Sequence, residues 1–198
     1  FVPMVESWGD PFYGSGIETL TIPNNIVDIG ERAFYNCYQL SEVVMPEGIT
    51  NIGGYAFSSC EQLSNIVIPE SVTDIGSYAF RYSGLTHISI PAGVATLDNV
   101  FVDCRRLTDV VFLEGVTKID ASAFYGCTRL KSIALPSSMR TVDSSAFYDC
   151  TQITDVWYAG KDRSNITIGD YGNMGLFYAT WHYNCCDPSS HSYDNACD

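Results

Sequence analysis

The stretch Ala33-Phe34-Tyr35-Asn36-Cys37 returns in closely similar form along most of the chain. Its clearest copies are Ala56-Phe57-Ser58-Ser59-Cys60, Ala123-Phe124-Tyr125-Gly126-Cys127 and Ala146-Phe147-Tyr148-Asp149-Cys150. The phenylalanine recurs at steps of 22, 23, 23, 21, 23 and 23 residues, at Phe12, Phe34, Phe57, Phe80, Phe101, Phe124 and Phe147. A fixed period of this size predicts a solenoid, in which each repeat forms one coil of a stack.

Each period also contains a short segment of alternating apolar residues. In the third unit this segment holds Leu63, Ile66 and Ile68, and Pro69 follows it. Alternation is typical of a strand with one buried face, and proline ends the strand because it has no N–H to donate. The Ala-Phe-x-x-Cys phrase favours a short helical or 3₁₀ turn. No unit is large enough to be stable alone, so we expect the coils to stabilise one another by stacking.

The combined pattern, Ala-Phe-x-x-Cys followed by Leu-x-x-Ile-x-Ile-Pro-x-x-Val-Thr-x-Ile, resembles the BspA-like leucine-rich repeat of bacterial and protist surface proteins. The resemblance covers residues 2–158. It implies an α/β fold, namely a right-handed leucine-rich-repeat solenoid with one parallel β-strand per repeat and short helical or 3₁₀ turns on the other side. It also implies export to the cell surface and a role in adhesion or host contact.

We expect three parts along the chain. Residues 1–158 form the solenoid of about seven repeats, the first of them partial. Residues 159–184 resemble the segment that often closes such arrays, and residues 185–198 form a polar tail that contains cysteine. Because the sequence starts with Phe1, we interpret it as a processed piece of a longer precursor.

Composition narrows the classes of partner. The chain has 198 residues, 46% of them hydrophobic, which is enough for a full core. Its net charge of −13 argues against nucleic acid as a partner, because phosphate binding requires clustered lysine and arginine. The sequence contains no apolar run of about 18 residues, so we predict no membrane span. We predict no cofactor.

Five of the eight cysteines occupy one repeat position: Cys37, Cys60, Cys104, Cys127 and Cys150. Buried cysteine behaves as a small apolar residue, and parallel Cβ vectors in adjacent coils fit disulfide geometry poorly. We therefore predict a structural column of free, buried thiols. In the tail, Cys185, Cys186, His191 and Cys197 could in principle hold zinc, but no Cys-x-x-Cys occurs. We predict a disordered tail or a fragment of a further module there, and no metal site.

Catalytic chemistry finds no support in the sequence. His87, His182 and His191 are the only histidines, and none has a serine or reactive cysteine at motif spacing. Asp98, Asp120 and Asp143 share a repeat position with glycines, just before the Ala-Phe phrase. Capping of that turn explains them better than calcium binding, which needs several oxygen ligands on one site. We predict no catalytic residues.

A partner should contact the outward side chains of the strands. The residue between the two inward positions forms one outward column, made by Thr21, Val44, Val67, Ser89, Val111, Ala134 and Trp157. A second column holds Thr19, Glu42, Asn65, His87, Asp109, Ser132 and Asp155. The candidate binding residues are Val44, Val67, His87, Ser89, Val111, Ala134 and Trp157. The alternative is that valine is simply a good strand former and that the closing segment covers Trp157.

A second candidate surface is a group of tyrosines near the turns: Tyr13, Tyr35, Tyr38, Tyr55, Tyr78, Tyr82, Tyr125 and Tyr148.

Three hypotheses about function follow from these two surfaces. The first is a non-catalytic surface module that binds a protein partner in adhesion or host contact. The second is a structural spacer within a larger surface protein. The third is a carbohydrate-binding module, for which Trp157, Trp181 and the tyrosines are suggestive because aromatic faces suit sugars.

Overall fold

The fold is described from a computed structural model, which covers residues 12–94 and 97–184. The described chain winds into a stack of coils, and three sets of backbone contacts join neighbouring coils. Two of these sets are parallel sheets, and the third joins the turns that carry the recurrent phenylalanines.

The first parallel sheet follows the predicted strands. Seven strands belong to this side: β1 (Thr19–Thr21), β3 (Glu42–Val44), β6 (His87–Ile90), β7 (Asp109–Phe112), β9 (Ser132–Leu135), β11 (Asp155–Tyr158) and β13 (Thr180–Tyr183). They form a pair, β1-β3, and a five-stranded sheet in the order β6-β7-β9-β11-β13.

The ladder is interrupted in the third coil, where residues 64–68 form no regular strand. The next coil is one residue shorter between its turn and its strand. Gly84 lies at that shortening, where a Cβ would come within 2.1 Å of the Glu61 carbonyl oxygen. The expectation of one strand in every repeat therefore fails at this coil, next to the place where the spacing changes.

A second parallel sheet, which the repeat pattern does not predict, lies after the proline of each unit. It has two parts of three strands each: β2 (Asp28–Ile29), β4 (Asn51–Ile52) and β5 (Asp74–Ile75), then β8 (Lys118–Ile119), β10 (Thr141–Val142) and β12 (Thr167–Ile168). Each strand has two residues, and its isoleucine or valine is inward. These inward residues pack in the same hydrophobic core as the phenylalanines.

The Ala-Phe-x-x-Cys phrase forms consecutive tight turns instead of a helix. Ala56 N donates to Gly53 O at 3.2 Å and Ser58 N donates to Tyr55 O at 3.1 Å. Tyr55 and Ser59 have φ angles of 56° and 61°, whereas a 3₁₀ helix keeps φ negative at every residue. Between these turns, alternate N–H groups donate to the next coil. Thus the turns form a third ladder down the stack.

The seven phenylalanines superpose coil upon coil, as the sequence predicts. Successive rings have centroids 5.1–5.6 Å apart and planes within 13° of parallel. Six of them, Phe34 onward, are buried. Offset stacking of this kind adds about 0.5–1.5 kcal/mol per pair beyond the burial of apolar area. The column is therefore a continuous stabilising element along the solenoid.

Residues 159–184 add one more coil to the stack. A 3₁₀ turn (Arg163–Asn165) precedes β12, and a short helix, α1 (Met174–Tyr178), precedes β13. Strand β12 pairs with β10, and β13 pairs with β11 in parallel. Helix α1 takes the place of the usual turns and buries only Leu176.

The fully buried side chain of Asn173 completes the last turn. Phe147 N donates to Asn173 Oδ1 at 3.0 Å, where earlier coils offer this amide a backbone carbonyl of the following coil. Asn173 Nδ2 donates to Asp143 O and Gly169 O, both at 2.8 Å. One side-chain amide thus replaces the missing peptide group of a further repeat.

Candidate binding surface

The sheet register places the predicted outward residues in one column. Ser89, Val111, Ala134 and Trp157 are consecutive partners across β6, β7, β9 and β11. Thr21 is paired with Val44 in the same way. The residues on either side of Ser89, Val111, Ala134 and Trp157 are buried, whereas Leu20 and Met45, beside Thr21 and Val44, are partly buried. The alternation predicted from the sequence therefore holds along the sheet.

The residues of this column are most exposed in its N-terminal half. Val44 is 49% exposed and Val67 is 72% exposed. Ser89, Val111 and Trp157 are half-buried. Ala134 departs from the expected accessible surface, because it is only 5% exposed. Its methyl group lies between the larger side chains of Val111 and Trp157, which leaves it little contact with water.

The second outward column carries the polar groups of the face. His87 is exposed, and its Nδ1 lies 3.1 Å from Thr86 Oγ1. Thr108 Oγ1 donates to Asp109 Oδ2 at 2.6 Å. Glu42 and Asn65 are exposed, and no hydrogen bond of their side chains occurs among residues 12–94 and 97–184.

Trp157 is not the end of the outward column. His182 on β13 pairs with it in register, and the two rings stack with centroids 3.9 Å apart. His182 Nε2 lies 2.9 Å from Asp155 Oδ1, and Thr154 Oγ1 donates to Asp155 Oδ2 at 2.8 Å. The hydrogen bond with His182 is the main cause that lowers the pKa of Asp155 below its ordinary value, and the hydrogen bond from Thr154 is the second. The closing coil thus covers part of Trp157.

The five repeat cysteines lie in one column, all buried and all as free thiols. Each thiol donates to the carbonyl of the phenylalanine in the preceding coil, as Cys60 Sγ does to Phe34 O at 3.3 Å. Ser83 fills the missing place, with its Oγ 3.3 Å from Cys104 Sγ. Burial raises the pKa of the Cys60 and Cys127 thiols well above the ordinary cysteine value. These groups are structural donors and not nucleophiles.

The three aspartates that share a repeat position connect coils instead of capping their own turns. Asp120 Oδ2 accepts from Leu97 N at 2.8 Å, and Asp98 Oδ2 accepts from Ser77 Oγ at 3.1 Å. Lys118 Nζ lies 2.7 Å from Asp120 and 2.8 Å from Asp143. In the part of the chain that the structure describes, no group of three or more His, Cys, Asp or Glu side chains could hold a metal ion.

The tyrosines near the turns pack mainly against one another. Tyr55 stacks on Tyr78 at 5.0 Å and Tyr125 stacks on Tyr148 at 5.1 Å. Two arginines lie over their rings. The Arg32 guanidinium is 5.6 Å from the centre of the Tyr55 ring, and the Arg81 guanidinium is 4.6 Å from the centre of the Tyr82 ring. Cation–π contacts of this kind explain much of this surface as packing between coils. The sequence pattern indicates no role for these arginines, because their contacts with the tyrosines form only when the coils stack.

The tail residues Cys185, Cys186, His191 and Cys197, for which we predict no metal site, lie outside the described residues. Across 12–94 and 97–184, no helix is long and apolar enough to cross a membrane. Asn173 also has a clear structural role that the sequence did not indicate. It falls outside the repeat, so no recurrent pattern could have identified it.

Comparison with known families agrees with this geometry. The profile described as BspA type leucine rich repeat region matches in six copies, over residues 10–99 and 94–171. The chain belongs to the BspA-type leucine-rich repeat family. Leucine-rich repeats generally mediate protein interactions and are generally non-catalytic. No curated protein matches the chain.

Solved structures share the leucine-rich repeat fold. A leucine-rich repeat protein from Eubacterium ventriosum is 24% identical with a TM-score of 0.71, over 85% of this chain and 44% of that one. A leucine-rich repeat protein from Bacteroides ovatus is 22% identical with a TM-score of 0.56, over 88% and 58%. A leucine rich cell surface protein from Faecalibacterium prausnitzii is 23% identical with a TM-score of 0.54, over 75% and 61%. The chain thus spans about half of the length of these proteins.

Proposed function

We propose that this chain is a non-catalytic extracellular module that binds a protein partner through the outward face of its first sheet, in adhesion or host contact. The observation that carries the proposal is the exposure of Val44 and Val67 on this face, at 49% and 72%. Both lie in a column of outward residues that a rigid stack of coils presents. Exposed apolar side chains on such a platform are typical of interaction sites.

The family supports the class of function, since leucine-rich repeats generally bind proteins. One relative by fold, from Faecalibacterium prausnitzii, is named as a cell surface protein. That name supports an extracellular location for this chain without establishing it. The half-buried position of Trp157 against His182 gives a glycan less aromatic surface than the sequence alone suggested.

The test is binding of the whole chain to immobilised extracellular matrix and secreted host proteins, measured by surface plasmon resonance. We expect Val67→Ser to weaken binding of the recognised protein at least about fivefold, which corresponds to about 1 kcal/mol. The melting temperature should not change, because Val67 contributes little to the core.

Val27→Ser is the matched control. Val27 is also an exposed valine, at 50%, but it lies beside the second sheet. Its substitution should leave binding unchanged. Equal loss with both variants, or full binding by Val67→Ser, would place the partner elsewhere. Absence of any bound protein would instead support the spacer hypothesis.

A further inference from the structure

Basic residues are distributed very unevenly along the solenoid. Residues 12–94 contain eight acidic residues and two arginines, a net charge of −6. Residues 97–184 contain ten acidic and eight basic residues, a net charge of −2. The N-terminal half of the described stack therefore carries most of its negative charge.

The two cations of the N-terminal half do not lie on the outward face. Arg32 lies over the rings of Tyr35 and Tyr55, on the side of the turns. Arg81 lies over Tyr78 and Tyr82 on the same side. Neither guanidinium forms a salt bridge among the described residues. The negative charge of the outward face in this half is thus not neutralised locally.

The acids of the outward face also differ between the two halves. In the C-terminal half, Asp155 is paired with His182, and Asp109 accepts from Thr108. In the N-terminal half, Glu42 of the second outward column and Glu18, which directly precedes β1, are exposed, and their carboxylates have no partner among residues 12–94 and 97–184. Glu42 lies in the same coil as the exposed Val44, and Glu18 lies in the preceding coil.

Together these residues define an open patch: Thr19, Thr21, Glu42, Val44, Asn65 and Val67. We propose that the open patch docks an extended polypeptide segment in which an apolar side chain is flanked by lysine or arginine. The apolar side chain would cover Val44 and Val67, and the basic groups would approach Glu42 and Glu18. This inference rests on the proposed function and adds the chemistry of its partner.

A second copy of this chain fits the open patch poorly. Its own N-terminal half carries the same net charge of −6, and its C-terminal half is also negative. Like charges facing each other across an interface oppose association. A partner with local positive charge is instead attracted, which speeds its encounter with the patch.

The test is selection from a random twelve-residue peptide library displayed on phage, against the immobilised whole chain at low salt. We expect enriched peptides to combine an apolar residue with flanking lysine or arginine. A synthetic peptide of the enriched sequence should bind at least about tenfold more weakly to Glu42→Gln combined with Val67→Ser. Its affinity should also fall with added salt.

The matched control is Asp74→Asn combined with Val27→Ser. It removes one exposed acid and one exposed valine from the same half of the chain, but on the side of the second sheet. This control should bind the peptide as the natural chain does. Enrichment of neutral or acidic peptides, no enrichment, self-association through the patch, or equal loss in the control would overturn the proposal.

The two proposals fail in different ways. Suppose that an extracellular protein binds and that Val67→Ser weakens it, whereas the selected peptides are not basic and Glu42→Gln has no effect. The proposed function then stands, and a basic, apolar segment is the wrong partner chemistry for the open patch. If basic peptides bind the patch but no extracellular protein does, the adhesion role is the part that fails.

Discussion

At the scale of the residue, the recurrence of the same amino acid at each period made some structural roles predictable, whereas others could not be predicted. The phenylalanine and cysteine columns could be predicted because the same side chain recurs at each period. The partners of those cysteines could not, because the phenylalanine carbonyl that accepts each thiol belongs to the preceding coil. The buried position of Ala134 depends likewise on its neighbours across the sheet. A side chain's contacts in a solenoid are set by residues one full period away.

The glycines that precede the Ala-Phe turns share a repeat position but not an environment. A Cβ at Gly76 would lie 2.4 Å from Gly54 N, whereas a Cβ at Gly30 would meet nothing within 4 Å. We expect Gly76→Ala to destabilise the fold by about 1–3 kcal/mol, because backbone of the adjacent coil must move. Gly30→Ala should remain within about 1 kcal/mol of the natural chain, since it only restricts the unfolded state.

Urea denaturation of the two variants measures this difference. Both changes add the same methyl group at the same repeat position, so propensity alone cannot separate them. Equal stability of the two variants would show that the coils are not as closely spaced at Gly76 as described.

At the scale of the element, the strands of the first sheet were predictable and those of the second were not. A strand such as His87–Ile90 shows alternation over several residues. A two-residue strand such as Asn51–Ile52 is too short to show any period, and pairing with adjacent coils alone defines it. The turns were misjudged for a related reason. Some of their left-handed residues, such as Tyr55 and Tyr78, are of types that seldom adopt positive φ, so the sequence of one repeat does not indicate this conformation.

Strand β13 is joined to β11 by the pair of Asp155 and His182, and this contact should depend on pH. The bond from His182 is the main reason that the pKa of Asp155 is lowered in the folded state. A lowered carboxyl pKa contributes stability that is present above the unfolded-state pKa and is lost as pH falls through the folded-state pKa. We expect Asp155→Asn to cost about 0.2–1 kcal/mol near neutral pH, because solvent screens this partly exposed pair.

Urea denaturation at a series of pH values tests this expectation. The difference between the natural chain and Asp155→Asn should shrink as the solution is acidified below the ordinary carboxyl range. Asp74→Asn serves as the control, because Asp74 is exposed and its carboxylate has no hydrogen bond among the described residues. A difference that stays constant into strong acid would show that the pair does not act as described.

At the scale of the whole molecule, the repeat predicted the architecture, but it did not predict the structure of the closing coil or which part of the outward face is exposed. Coil stacking followed from the period, and the family confirms it. The closing coil lies outside the periodic pattern, and His182 of that coil covers part of Trp157, while Val111 and Trp157 flank Ala134. Which part of a repetitive surface is open is therefore a property of the assembled stack.

Asn173 should control how the stack unfolds from its C-terminal end. Asn173→Ala removes the acceptor of Phe147 N and two donors to buried carbonyls, at about 1–3 kcal/mol for each group left unpaired. Stability in repeat proteins is transmitted between neighbouring units. Hydrogen exchange should therefore accelerate first at Phe147 and then at Phe124, while Phe57 stays protected.

Asn165→Ala provides the control for this measurement, because Asn165 is an exposed asparagine of the same closing coil. It should leave the exchange profile unchanged. If hydrogen exchange accelerates equally in every coil of Asn173→Ala, the result would contradict nearest-neighbour behaviour and indicate a single cooperative unit.

The thiol column also affects how this chain responds to oxidising conditions. Chemical attack on cysteine requires a thiolate that a reagent can reach. All five sulfurs are buried, and burial also raises the pKa of the Cys60 and Cys127 thiols well above the ordinary cysteine value. Once folded, they should resist mispairing with the cysteines of other chains. Before folding they have no such protection, so the speed of coil stacking decides whether a nascent molecule escapes wrong cross-links.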